Sequence, residues 1–412
     1  MVELEPASVG NETLRIEDNL IVARGKAVQL QANDELVDLS GKVVMPGLIS
    51  AHHLLYGTLT RGAKRSAEGF EGEVALLHKL EDALTLEDVE AASAAGAIEG
   101  LKHGVTCVFD LHASPKAIGG SLQTVARGLG MVGLRAVLAY QVSERHGALN
   151  REEGLDECRE YARRARGRFR GAVGAQGLGG MSPDGIEALK LGVEGGLFLH
   201  AKLGDDPNEE RLSSEKYGAT ALGRLMEQQL VNERTLLASG VHLSWPELAQ
   251  VLTTGAWMAH SPRANMASQT GSAHAGKFGI RACLGTGVMQ LDLFAEAQAA
   301  WLKARDAGQP IDVMRFLANN QRLASAAFGV PIGPLREGAI ADLVVLDYQP
   351  FTPLTEETLG GHLLAGLSAN QVESVMVDGV WRLLERKVLG VDPREVAGAA
   401  LEAAKGVWGR MK

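Results

Sequence analysis

Short apolar runs that end in Gly, His, Asp or Ser alternate along this chain with longer stretches of helical period, which is the sequence form of repeated strand–helix units. Eight runs predict strands: VVMPGLISA (43–51), VTCVFD (105–110), LRAVLAYQV (134–142), GAVGAQGL (171–178), GLFLHAK (196–202), RTLLASGV (234–241), GAWMAHS (255–261) and RACLGTGV (281–288). Helical patterns separate them, as in LTLEDVEAASAAGAIEGLKHG before the second and WPELAQVLTTG before the seventh. Two more, LFAEAQAAWLKARDAG and DVMRFLANNQRLASAAFG, follow the eighth. Eight such units predict an α/β fold, a closed (β/α)8 TIM-like barrel. The alternative is an open doubly wound sheet, but no G-x-G-x-x-G follows the first strand and no phosphate-loop pattern is present.

The two chain ends read differently. From Leu14 to Val44 the segments LRIEDNLIVARG, KAVQLQ and ELVDLSGKVV are β-like and broken by polar residues and Gly. A similar signature returns over 341–349 and 372–390, around an Asp378-Gly379 turn. Together they predict a small β-sandwich built from both ends, residues 1–44 with 339–392, flanking a barrel over 45–338 and followed by a helix over 393–412.

Composition narrows the function. With 41 Lys and Arg against 50 Asp and Glu the chain carries a net charge of −9, which argues against a nucleic-acid or anionic-membrane surface. Three cysteines, Cys107, Cys158 and Cys283, with no CxxC spacing, exclude a disulfide framework or a cysteine zinc knot and point to a reducing cytoplasm. Neither a leader-like amino terminus nor an apolar run of about 18 residues is seen, so secretion and membrane insertion are not expected.

Chemistry in a barrel collects at the carboxyl ends of the strands. Those ends hold His52, His53, Asp110, His112, Gln176, His200, Lys202, Ser239, His242, His260 and Arg263. Any one histidine taken alone reads more simply as a buried ring satisfied by a carbonyl. Six of the chain's 11 histidines at these places predict a polar pocket at one barrel face. Arg263 reads either as a clamp for a carboxylate or as a salt-bridge partner. Lys202 reads as a Schiff-base amine if burial lowers its pKa, or more simply as a partner of Asp205 or Asp206. Asp110 reads as an acceptor that fixes a loop.

MPGLISAHHLLYGTLTRG resembles the first-strand signature of metal-dependent amidohydrolases, in which a Pro-Gly-Leu-Ile run leads to His-x-His. FDLHASP (109–115), GLRAVLAYQ (133–141), GLFLHAK (196–202), MAHSPRANM (258–266), LGTGVMQLDLFAEA (284–297) and REGAIADLVVLD (336–347) follow in the order and spacing of the SsnA-like aminohydrolases. The resemblance runs from about Val43 to the carboxyl terminus. It implies a barrel with a flanking β-sandwich and hydrolysis of C–N bonds other than peptide bonds, in purine-like or related nitrogenous compounds, by a metal-activated water.

Against that pattern, His52 and His200 stand at ligand positions, but Leu54 replaces the second His of His-x-His. Leu203 stands where the family has a proton-shuttling Glu, Ser239 where it has a His, and Gly287 where it has an Asp that binds metal and takes water's proton. A catalytic zinc normally has three protein ligands and an open position, and each lost acid-base role removes about 10²–10⁴-fold of rate. The expectation is therefore no metal cofactor and no family-type hydrolysis, in a protein acting as a non-catalytic homologue or assembly subunit. Two alternatives remain open. One is a hydrolase with a rearranged zinc or iron site built from His53, Asp110, His112 or the Asp205–Asp206 pair. The other is a metal-free protein that binds a small nitrogenous ligand, or an enzyme with another chemistry in the same pocket, for which Lys202 and Arg263 are the motivating residues. The resemblance also implies a homodimer, with neither nucleic acid nor membrane as partner.

Overall fold

The computed structural model describes residues 1–65 and 67–411. Eight parallel strands form the central sheet in chain order: Leu48–His53, Val105–His112, Arg135–Val142, Phe169–Ala175, Leu199–Leu203, Thr235–Ser239, Trp257–His260 and Ala282–Leu284. Most of their residues are buried on both faces, as a sheet lined inside by side chains and covered outside by helices requires. The barrel closes where the end of the first strand meets the turn after the eighth. Thr286 and Gly287 donate to the His52 carbonyl at 2.7 and 3.0 Å, and Leu54 donates to Gly287 O at 3.0 Å. Beneath this seam, buried Asn320 donates to the carbonyls of Ile49 and Leu284 and accepts from Leu284 N–H, tying both strands to the helix Val313–Phe328.

The run expected as one first strand is two. Val43–Pro46 pairs antiparallel with Leu343–Leu346 in a five-stranded flanking sheet, and only Leu48–His53 enters the barrel. Gly47 is the hinge: a Cβ there would meet the Thr106 side chain at 2.4 Å, so only glycine lets the chain pass from one sheet to the other. The hairpin of Thr13–Glu17 with Leu20–Gly25 packs on that sheet through Ile21, Val44, Leu343 and Val345, so both chain ends do build one β-layered unit. KAVQLQ and ELVDLS, read as strands, form none. Residues 26–42 lie on the surface with Leu30 and Leu36 largely exposed, and alternation without a neighbouring edge to pair with does not make a strand. Buried Arg135 on the third barrel strand pairs with Asp342 and Asp378, fastening barrel to flanking sheet, and Pro393–Arg410 forms a terminal helix.

Candidate active site

A small cavity of about 50 Å³, open to solvent on one side, lies at the carboxyl ends of the barrel strands. Its floor is made by the positions singled out in the sequence: His52, Leu54, Ser239 and Gly287, with Lys202 and Asp205 beside them. One wall is the helix Gly69–Ala83, which presents Phe70, Glu73, Val74 and Leu77. The opposite wall is Ser261, Ala264, Asn265 and Ser268, on and around the short helix Pro262–Ala267. Sequence reading at strand ends alone missed both walls. The available signal was the length of the connection after the first strand, since loops well beyond the usual 2–6 residues of a βα unit commonly cover a site.

His52 and His200 are 3% and 1% exposed and bond each other, His52 Nδ1 to His200 Nε2 at 2.9 Å, while the buried His200 Nδ1 has no partner among the described residues. One ring donates the shared proton and the other accepts it. Burial first, and then the neighbouring His200, hold His52 well below the usual imidazole range, and burial brings His200 down to about 3. His53 sits at a register irregularity in the first strand, yet its Nδ1 is taken by Thr286 Oγ1 at 2.8 Å, and Thr286 in turn meets Ser50 Oγ at 3.0 Å. It does not line the cavity.

Lys202 Nζ pairs with Asp205 Oδ2 at 2.6 Å. Burial pulls its pKa down but Asp205 outweighs this and raises it, so the residue is a fixed ammonium and the Schiff-base reading fails. Asp205 Oδ1 accepts from Ser239 Oγ at 2.9 Å, and Ser239 holds a left-handed backbone, φ +85°, uncommon for a residue with a Cβ. Asp206 accepts from Asn208 N–H and shapes the loop.

The other candidates lie apart. Arg263 is committed to buried Glu296 at 2.5 Å and to the carbonyls of Gln290 and Asp292, so the clamp reading is overturned. Its fork serves the helix that follows the barrel. His112 bonds Ser114 Oγ at 2.9 Å between the rings of Tyr56 and Tyr140. His260 packs edge-on to Phe278, and burial lowers it to about 4. Gln176 is half-buried beyond the fourth strand, and His242 is half-buried in the loop after the sixth. None of these four lines the cavity, nor does Leu203, which points into the core. Asp110 accepts from Leu55 N–H at 2.7 Å, the loop-fixing role expected of it, and burial raises it to about 7.

The donor set can be tested against a zinc ion. Two imidazole nitrogens on one tetrahedral zinc stand about 3.4 Å apart, from bonds of about 2.0–2.1 Å. At 2.9 Å the His52–His200 pair has hydrogen-bond spacing. Around it Leu54 and Gly287 offer no donor atom, and Ser239 offers a neutral hydroxyl. Among the described residues no three His, Cys, Asp or Glu side chains come together as a metal cage, and the set His53, Asp110, His112, Asp205 and Asp206 is dispersed over separate partners. These residues do not fit zinc.

The amidohydrolase family model matches residues 43–382. Among curated proteins, a 5'-deoxyadenosine deaminase of Methanosarcina mazei is 26% identical over 97% of this chain and 94% of its own length. A 5-methylthioadenosine/S-adenosylhomocysteine deaminase of Natronomonas pharaonis is 27% identical over 91% and 88%. Among solved structures, a zinc-bound adenosine deaminase from Xanthomonas campestris superposes with TM-score 0.86 at 21% identity, covering 98% of this chain and 96% of the other. The atrazine chlorohydrolase TrzN from Arthrobacter aurescens, complexed with zinc, superposes with TM-score 0.81 at 19% identity over 96% of each.

Proposed function

This chain belongs to the amidohydrolase family, and on that premise we propose that it keeps the family's barrel and pocket without the metal-assisted hydrolysis of C–N bonds. The observation that carries the proposal is the make-up of the cavity floor. Where a metal-activated water needs at least three ligands and a base, the floor offers His52, already bonded to His200, with a leucine, a serine and a glycine. The one carboxylate on that floor, Asp205, already accepts from an ammonium and a hydroxyl, which disfavours the proton it would need to take up as a base. Fold is inherited here while the chemistry has gone. The protein then acts by binding, as a homodimer or an assembly subunit in a reducing cytoplasm. That setting suits its three buried free thiols, and among the described residues no helix is long and apolar enough to cross a membrane.

The test is turnover. Purified protein incubated with 5'-deoxyadenosine, 5-methylthioadenosine, S-adenosylhomocysteine and adenosine, with and without added zinc, is expected to release ammonia no faster than buffer. Zinc-dependent release that disappears in His200→Ala overturns the proposal.

A further inference from the structure

At the amino-terminal end of the barrel, opposite the cavity, the chain gathers arginines without matching acids. The run ARRARGRFRG (162–171) carries Arg163, Arg164, Arg166, Arg168 and Arg170, in a protein whose net charge is −9. Arg168 immediately precedes the strand Phe169–Ala175, and its carbonyl accepts from Ala136 N–H at 2.9 Å, which sets it beside Arg135. Arg382, on the flanking strand Val380–Leu384, lies across Gly133, where an added Cβ would meet its Nε at 2.4 Å. Arg135 and Arg170 both stand over the Phe328 ring, 5.1 and 4.7 Å from its centre.

The acids of this cluster are few. Asp342 accepts from Arg135 and from Asp378 N–H, and Asp378 gives one oxygen to Arg135 and Asn19. Even with the second Asp378 oxygen open, Arg135, Arg166, Arg168, Arg170 and Arg382 face two carboxylates. The carboxyl ends of the helices Ser121–Val132 and Ala148–Arg164 add about half a negative charge each, so an excess of about two positive charges remains. The Nε atoms of Arg168 and Arg382 are shut from solvent and have no partner among the described residues. Burial first and then Arg168 pull Arg382 below the usual guanidinium range, and Asp378 only partly opposes them. Burial, Arg135 and Arg166 pull Arg170 down in the same way. Arg168, Arg170 and Arg382 are half-buried, so each keeps surface that a solute can reach.

We infer that this cluster binds a phosphoryl group, either as inorganic phosphate or as the phosphate of a small ester. A phosphate monoester carries about −1.5 to −2 charge, which matches the excess, and its oxygens can take guanidinium forks from more than one side. A carboxylate brings one charge in one plane. The net charge of −9 disfavours a long polyanion at the same place.

The test is calorimetric titration of the full chain, at about pH 7.5 and matched ionic strength, with inorganic phosphate, glycerol phosphate and acetate. At least one of the two phosphates is expected to bind about tenfold or more tightly than acetate, and the tighter of the two identifies the source of the phosphoryl group. Arg168→Gln and Arg382→Gln are each expected to weaken that phosphate about tenfold, and Arg382→Lys, which keeps the charge but loses the fork, severalfold. Arg163→Gln, exposed in the same run, is expected to change it less than about twofold, as a screened surface charge does. Acetate binding as tightly as both phosphates, no heat with either phosphate, or equal losses from Arg163→Gln and Arg168→Gln each overturns the inference. So does native phosphate affinity in a folded Arg168→Gln or Arg382→Gln protein.

Discussion

Replacing Arg263 by Ala tests the reassignment of that residue from ligand clamp to structural partner. Glu296 is fully buried, and burial raises its carboxyl to about 7 although Arg263 opposes that rise. Removing one partner of a buried pair typically costs about 3–5 kcal/mol, because the other charge is left unpaired. The cost depends on pH with a definite sign. A carboxyl whose folded pKa is raised contributes stability that is whole below its unfolded value of 4.5 and is lost as pH rises to its folded value. In the native protein that loss ends near pH 7. Without Arg263 the folded value climbs further, so stability keeps falling through pH 8 by about 1.4 kcal/mol for each pH unit. Urea unfolding of Arg263→Ala is expected to show a deficit of about 1–2 kcal/mol at pH 5, from the lost bonds to Gln290 and Asp292, and about 3 kcal/mol or more at pH 8. Adding Glu296→Gln removes the pH dependence of that deficit. A deficit below about 1 kcal/mol at pH 8, or one independent of pH, would mean that Arg263 is not the partner on which buried Glu296 depends.

Asn320→Leu leaves the Ile49 and Leu284 carbonyls and the Leu284 N–H unpaired at the barrel seam, and is expected to cost about 3 kcal/mol or more in urea unfolding. Glu81, buried with Tyr56 and Arg145 on its two oxygens, is raised by burial to about 7. Its contribution is therefore lost as pH rises from 4.5 to about 7, and Glu81→Gln is expected to flatten that part of the stability profile by roughly 3 kcal/mol. Leu54→His, Ser239→His and Gly287→Asp together are expected to bring zinc to the cavity floor, measured by equilibrium dialysis. Ala264→Gly is needed as well, because a Cβ at 287 lies 2.8 Å from that of Ala264. Failure of the combined variant to bind zinc contradicts the view that these positions are what separates this cavity from a metal site.

The barrel was legible because each strand is a short apolar run bounded by its own helix pattern, and burial on both faces enforces that pattern. The split of the first run at Gly47 was not. It depends on Thr106 crowding the glycine from a strand more than fifty residues away. KAVQLQ misled for the opposite reason: local alternation was present but no partner edge was. At the site, the floor could be read from strand ends, since position on a strand fixes which residues face the pocket. The partners could not. Arg263 and Glu296 lie on different helices, and nothing in either segment announces that the ion pair claims the guanidinium. Lys202 and Asp205, three residues apart, were near enough in the chain for their pairing to be foreseen.

Metal content decides whether the cavity floor holds an ion. Protein purified after growth in medium supplemented with zinc, iron or manganese is to be exchanged into chelator-free buffer and analysed by inductively coupled plasma mass spectrometry. With two mutually bonded imidazoles and no third ligand, well under about 0.1 ion per chain is expected for every metal. One ion per chain, lost when His52 and His200 are replaced by Ala, contradicts the account.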